Sequence, residues 1–309
     1  MVKKAIIAAA GRGTRFLPTV KAYPKELVPI LEKPIIQYLV EELIGAGVDQ
    51  IAIVHRHGEP SLKRYFTPDK ELEKYLCQTG KSHFLSSLKE IWQKVKILKF
   101  IPQPRCLPYG NASPVLAAKS FVGKDSFVFM FGDDLVLEKK PGNYLATLIK
   151  IFEKYQPAVV LGVQEVPWKE INRYASIKYI KDKKYPNRAV AVLEKLPAKK
   201  APSNVAQFGR FVVSPKIFSV LAKQKISSGG ELWFADTVNT LAAQGVVIAE
   251  PIKNGKWLTT GDPLRWLKAN IELALVKKEY KKKLRDFLQK EHFTPRRWDA
   301  IDTSGKKKI

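Results

Sequence analysis

Two short basic stretches near the N-terminus carry the clearest chemistry. Ala9-Ala10-Gly11-Arg12-Gly13-Thr14-Arg15-Phe16-Leu17-Pro18 comes first, and Lys21-Ala22-Tyr23-Pro24-Lys25-Glu26-Leu27 comes after it. Glycines at 11 and 13 let backbone N–H groups approach a phosphate with no Cβ in the way. Arginine grips phosphate oxygens in pairs and lysine supplies a compact charge, so Arg15 and Lys25 together suit a polyphosphate. A basic surface loop would use the same residue types, and composition alone does not separate the two. Two other phosphate loops are excluded by context. The dinucleotide fingerprint needs a small third residue opening a helix, but Phe16 holds that place, and Pro18, Pro24 and Pro29 prevent an immediate long helix. The P-loop needs Gly-Lys-Ser/Thr, which is missing at this loop.

The flanking sequence supplies a frame for these loops. Lys4-Ala5-Ile6-Ile7-Ala8-Ala9 is a short apolar run that reads as a buried parallel strand. From Pro34 to Ile44, a proline in the first turn, helical apolar spacing and a Gly45/Gly47 stop predict a helix. Gln50-Ile51-Ala52-Ile53-Val54 predicts the next buried strand, completing a parallel α/β unit. Residues 60–93 read as helical with polar faces, and 96–101 as a strand. A helix over 115–121 leads into Phe127-Val128-Phe129-Met130-Phe131, the most apolar strand of the chain, closed by Gly132-Asp133-Asp134. Strands are expected near 158–163, 189–193 and 208–213, and one long helix over 262–288. The predicted architecture is α/β: a Rossmann-like mixed, mainly parallel sheet flanked by helices, with insertions. Residues 1–275 would form this domain, and 276–309 a basic C-terminal helix and tail.

Of 309 residues, 45% are hydrophobic, enough for a sizeable core and too many for a disordered chain. With 54 Lys and Arg against 29 Asp and Glu, the formal charge of +25 favours acidic partners, phosphorylated small molecules among them. The surplus is dispersed rather than gathered in one stripe, so no specific nucleic-acid partner is expected. No run of about 18 apolar residues occurs, which excludes a membrane-spanning helix. The apolar start is cut short by Gly11 to Thr14 and does not read as a cleaved signal. Cys77 and Cys106 are too few for a disulfide scaffold or a four-thiolate zinc site. His55, His57, His83 and His292 lack metal-binding spacing, and Trp257 and Trp266 read as core or rim aromatics. A thiol-reduced, cytoplasmic protein is the expectation.

Taken in order, Gly11-x-Gly13-Thr14-Arg15-Phe16-Leu17-Pro18, Lys21-Ala22-x-Pro24-Lys25-Glu26 and Pro34-Ile35-Ile36-Gln37-Tyr38 resemble the signature of the sugar-phosphate nucleotidyltransferases. Ala201-Pro202-Ser203-Asn204, Gly209-Arg210, Gly229-Gly230-Glu231 and Gly261-Asp262…Leu267-Lys268-Ala269-Asn270 extend the likeness across most of the chain. It is greatest to the members that use UTP and glucose 1-phosphate, and it implies a GT-A-like fold, Mg²⁺ as cofactor and a homo-oligomer. Another sugar 1-phosphate, dTTP, or a weakened paralogue that binds nucleotide sugars are the alternatives.

The implied reaction is attack by the phosphate oxygen of a sugar 1-phosphate on the α-phosphorus of a nucleoside triphosphate, with pyrophosphate leaving. The nucleophile is already an anion at pH 7, so positioning and cations carry catalysis and no general base is required. By resemblance, Ala10, Gly11, Gly13 and Thr14 cradle the nucleotide while Arg15 and Lys25 contact the triphosphate as catalytic cations. Gln103 matches the residue that reads the uracil edge, with Gly110 beside it. Tyr174, Ala175, Glu194 and Lys195 fall at sugar-phosphate positions, Glu194 accepting hydroxyls and Lys195 neutralising the phosphate. Asp133 matches the magnesium ligand, a hard oxygen donor at the strand end where α/β sheets bind ligands.

Some positions depart from the family pattern. Thr259 stands where a second metal-holding Asp is usual, which implies weaker metal binding. Asn111 replaces a histidine beside the base and is followed by Ser113-Pro114. Ala175 replaces a glycine at the sugar, where its Cβ narrows the pocket.

Overall fold

A computed structural model describes residues 1–85, 94–227 and 230–290. Strand β1 (Lys4–Ala9) lies between β4 (Gln50–His55) and β6 (Phe127–Phe131), parallel to both, and β5 (Ile97–Pro102) extends the parallel set beyond β4. All four therefore end at the same edge of the sheet. On the other side of β6 the chain adds β11 (Val205–Val213), β8 (Val159–Glu165), β12 (Val247–Pro251), β10 (Arg188–Glu194) and β9 (Ala175–Tyr179). The nine-stranded order is β5-β4-β1-β6-β11-β8-β12-β10-β9, with β8 and β12 parallel and the other pairings of this half antiparallel. Two small ribbons, β2 (Pro29–Ile30) with β3 (Lys33–Pro34) and β7 (Asp134–Glu138) with β13 (Gly255–Thr259), lie outside this sheet.

Burial on both faces explains why the central strands are nearly all apolar. Val128 and Met130 of β6 face α1 (Ile35–Gly45) and α2 (Asn143–Tyr155), whose Leu39, Leu43, Leu145 and Leu148 are fully buried. Phe127 and Phe129 face the opposite layer, which includes α3 (Phe234–Gln244) with Phe234 and Val238. Beneath the sheet edge, Arg210 is wholly buried and donates through Nε and Nη2 to both oxygens of Glu42 at 2.7 Å. The same guanidinium donates to the backbone oxygens of Gly209 (2.9 Å) and Asp134 (2.8 Å), so its charge and its hydrogen-bonding capacity are both used.

The helix expected over 262–288 is divided. It forms α4 (Pro263–Val276) and α5 (Lys278–Lys290), with Lys277 in an extended conformation between them. Asp262 caps α4 through a 3.0 Å bond from Arg265 N–H, and Pro263 suits its first turn. Gly132-Asp133-Asp134 is not simply a strand end: Asp134 already begins β7. The polar segment after residue 60 contributes short helices at Ser61–Tyr65 and Lys70–Gln78. The remainder of that expectation, residues 86–93, lies outside the described residues, as do Gly229, His292 and the tail from residue 291. Among the described residues no helix is long and apolar enough to cross a membrane.

Candidate active site

The site begins where β1 runs out. Gly13 has φ +62°, a left-handed turn that glycine adopts without strain, and a Cβ there would stand 3.3 Å from Lys25 Cβ. A short 3₁₀ turn, Thr14–Phe16, comes next and buries Phe16. Pro24 has extended backbone and leads into a second 3₁₀ turn, Lys25–Leu27. Lys25 is thereby brought beneath the glycine loop, its Nζ 4.0 Å from where a Gly11 Cβ would be. Next door, β1 and β6 approach so closely that a Cβ on Gly132 would meet Ala8 O at 2.5 Å.

Asp133 lies at the end of β6, and Lys25 Nζ donates to its Oδ2 at 2.5 Å. Burial works against ionisation of Asp133, yet Lys25 and Arg15 outweigh it and hold the carboxyl below its usual range. Burial likewise opposes the charge on Lys25, but Asp133 and Glu26 overcome it and raise the ammonium. The turn is also fixed from behind, because Thr260 donates to Asp133 O through both its N–H and its Oγ1, each at 2.8 Å. Asp134 points the other way. It accepts from Gly209 N–H and from Trp257 Nε1, both at 2.8 Å, and burial beside Asp133 pushes it up to about 6.

These residues open onto a cleft of about 360 Å³. Ala10, Gly11, Arg15, Lys25, Gln103, Gly110, Asp133 and Lys195 all line it. Gly110 has φ +144° and packs against Leu232, whose backbone nitrogen would lie 2.4 Å from a Cβ at that position. Gln103 continues the β5 ladder by donating from N–H to His55 O, and its buried Oε1 finds no protein partner among the described residues. An unpartnered buried amide oxygen beside a cleft is an acceptor waiting for a ligand's donor.

The chain matches the Nucleotidyl transferase family over residues 4–274. This chain belongs to that family. The nucleotidyl transferase is 36% identical over 288 residues to UTP–glucose-1-phosphate uridylyltransferase of Bacillus subtilis (strain 168), covering 93% of this chain and 96% of that one. Among solved structures, it resembles the UTP-bound UGPase of Acinetobacter baumannii with a TM-score of 0.83 at 30% identity, covering 94% of this chain and 99% of that one. A UDP-glucose pyrophosphorylase complexed with UDP-glucose superimposes with a TM-score of 0.78 at 30% identity, covering 90% and 100%.

Not every residue expected at the site reaches the cleft of this nucleotidyl transferase. Gly13 and Thr14 shape the loop at its rim. Tyr174 turns away: its ring packs edge-on to Trp257, with centroids 4.9 Å apart, in a separate hollow that Thr259 also lines. Ala175 is buried opposite Glu194 in the β9–β10 ladder. Glu194 lies beside Lys195, Oε1 to Nζ 4.0 Å, and burial raises its carboxyl against that ion pair. Of these, Lys195 alone lines the cleft.

Sequence reasoning passes over Glu26, Trp233 and Thr260. Glu26 adjoins Lys25 in the same motif, yet it is fully buried, and neither oxygen has a hydrogen-bond partner among the described residues. Its Oε1 is 3.9 Å from Lys25 Nζ. Burial pushes Glu26 up to about 7 from 4.5, with Lys25 opposing. The folded state then holds a proton that the unfolded state has lost, so stability falls as pH rises from about 4.5 through about 7. Glu26→Gln is expected to flatten that slope, measured by urea unfolding across the interval. An unchanged slope would show that another group sets it.

Proposed function

We propose that this nucleotidyl transferase joins UTP and glucose 1-phosphate, giving UDP-glucose and pyrophosphate. The observation that carries the reading is the convergence of Arg15, Lys25, Lys195 and Asp133 on one cleft beside a glycine loop. Several phosphate charges must meet for this reaction, and their mutual repulsion is the main obstacle. Arg15 and Lys25 would take the triphosphate oxygens, and Lys195 the sugar phosphate. Ala10, Gly11, Gly13 and Thr14 would hold the nucleotide backbone close to the sheet edge. Gln103 Oε1 would accept from the uracil N–H, with Gly110 keeping the base side open. Glu194 would accept sugar hydroxyls from its place beside Lys195, Oε1 to Nζ 4.0 Å. The fixed cations bring the phosphate nucleophile into line with the α-phosphorus, and no residue needs to remove a proton.

Asp133 fits a divalent cation. It is an oxygen donor lining the cleft, kept ionised by Lys25 and Arg15, and a divalent cation would take over the oxygen to which Lys25 now donates. No group of three or more His, Cys, Asp or Glu side chains arranged for a metal occurs among the described residues. That donor set suits Mg²⁺, which keeps waters and takes substrate phosphates for its remaining positions. When bound, Mg²⁺ supplies charge neutralisation at the phosphates. We assign residues 1–275 to the catalytic domain and 276–309 to a basic C-terminal helix and tail. A homo-oligomer is the proposed state, supported by Leu264, Leu267, Ile271 and Val276, which α4 leaves exposed, and the cytoplasm is the proposed location.

The test is pyrophosphate release from each nucleoside triphosphate with a panel of sugar 1-phosphates, with and without Mg²⁺. UTP with glucose 1-phosphate should be fastest and should require the metal. No release from any pair by folded protein would end this reading. Asn111, which lines the cleft beside Gly110, favours a second reading in which dTTP or another sugar 1-phosphate is preferred. The same panel distinguishes the two.

A further inference from the structure

One wall of the cleft is aromatic and has no charge of its own to offer a phosphate or a metal. Trp233 lines it, half-buried, and the Lys195 ammonium lies over its ring, 4.2 Å from the centroid. Both partners are held by backbone that has little freedom. Lys195 has φ +48°, a left-handed conformation that a non-glycine residue keeps only when its surroundings impose it. Its N–H donates to Tyr174 O at 3.1 Å, which ties this turn to the start of β9. On the other side, Leu232 N–H donates to Tyr109 O at 2.7 Å and Phe234 N–H to Asn111 Oδ1 at 2.7 Å. Trp233 is thus fixed between two bonded neighbours on the strip beside Gly110.

The Lys195 side chain is 49% exposed, and its nearest ion-pair contact, Glu194 Oε1, is at the loose distance of 4.0 Å. A lysine so placed samples many rotamers unless something holds its end. An aromatic face attracts the ammonium without supplying a counter-charge, and the attraction is weak enough to yield to a phosphate. A carboxylate there would neutralise the cation and compete with the substrate.

We propose that Trp233 is a positioning residue: its ring holds the Lys195 ammonium at the cleft, ready for the phosphate of the sugar 1-phosphate. This rests on Lys195 acting as the sugar-phosphate cation in the reaction proposed above.

Steady-state kinetics of Trp233→Leu and Trp233→Phe, with UTP and glucose 1-phosphate varied separately, provide the test. The Leu variant should raise KM for glucose 1-phosphate by about tenfold, with kcat and KM for UTP changing far less. The Phe variant keeps an aromatic face and should recover most of that loss. In a Lys195→Ala background, Trp233→Leu should add little, because its effect passes through Lys195. A KM rise for UTP as large as that for the sugar would overturn the proposal, as would equal losses in the Leu and Phe variants or fully additive losses with Lys195→Ala. Calorimetric binding of glucose 1-phosphate decides the point should the Leu variant fold poorly: the Phe variant should bind within about threefold of wild type. Wild-type protein that binds glucose 1-phosphate through Lys195 and Trp233 yet releases no pyrophosphate would sink the proposed reaction and leave this pairing standing.

Discussion

Asp133→Asn is expected to lower turnover by about 10²–10³-fold while the thermal midpoint shifts by only a few degrees. The substitution keeps the shape of the side chain and removes its charge. Two consequences compound. The proposed anionic ligand for Mg²⁺ disappears, and Lys25 loses the carboxylate that now takes its ammonium at 2.5 Å. Stability changes little because the turn is held through Asp133 O, which Thr260 grips in either variant, and because an Asn amide oxygen can still accept from Lys25 in a pair that solvent reaches. Pyrophosphate release measured against Mg²⁺ concentration reads the effect. A wild-type rate at ordinary Mg²⁺ would mean that Asp133 has been given the wrong task.

Arg210→Leu should do the reverse, costing about 3–5 kcal/mol of stability, because it removes one partner of a buried ion pair. Glu42, buried at the same depth, would keep a charge with no cation against it, and Asp134 O would lose its donor. The double variant Glu42→Leu/Arg210→Leu should recover most of the loss, since an apolar pair needs no compensation. Urea unfolding of the single and double variants measures the difference. Equal losses in both would place the energy in packing rather than in the stranded carboxylate.

How much can be read in the chain depends on how local each feature is. β1, β4 and β6 are buried on both faces and form unbroken apolar runs, so they are legible as strands from their residues alone. The β7–β13 ribbon is not. Its first residue, Asp134, is a carboxylate whose burial is tolerated only because Gly209 and Trp257, distant in sequence, donate to it. The single helix expected over 262–288 breaks at Lys277, where apolar and basic spacing on either side masks an extended residue. At the site, the glycine loop and its cations are written within a short stretch, and Asp133 closes the most apolar strand. Glu26, Trp233 and Thr260 acquire their parts from partners folded against them. Thr260, for example, is a threonine like any other until Asp133 O, 127 positions earlier, accepts from it. Tyr174 illustrates the converse: its place in the chain points to the sugar, but Trp257 offers its ring a better contact elsewhere.

The grip of Thr260 on Asp133 also bears on how the protein comes off the ribosome. A nascent chain that has emerged through residue 200 already contains the glycine loop, both early cations and Asp133. It still lacks β11, which walls β6, and the threonine that holds the aspartate turn. Such an unfinished polypeptide carries the charges of the site without the partners that fix Asp133, so the aspartate turn is completed only late in translation.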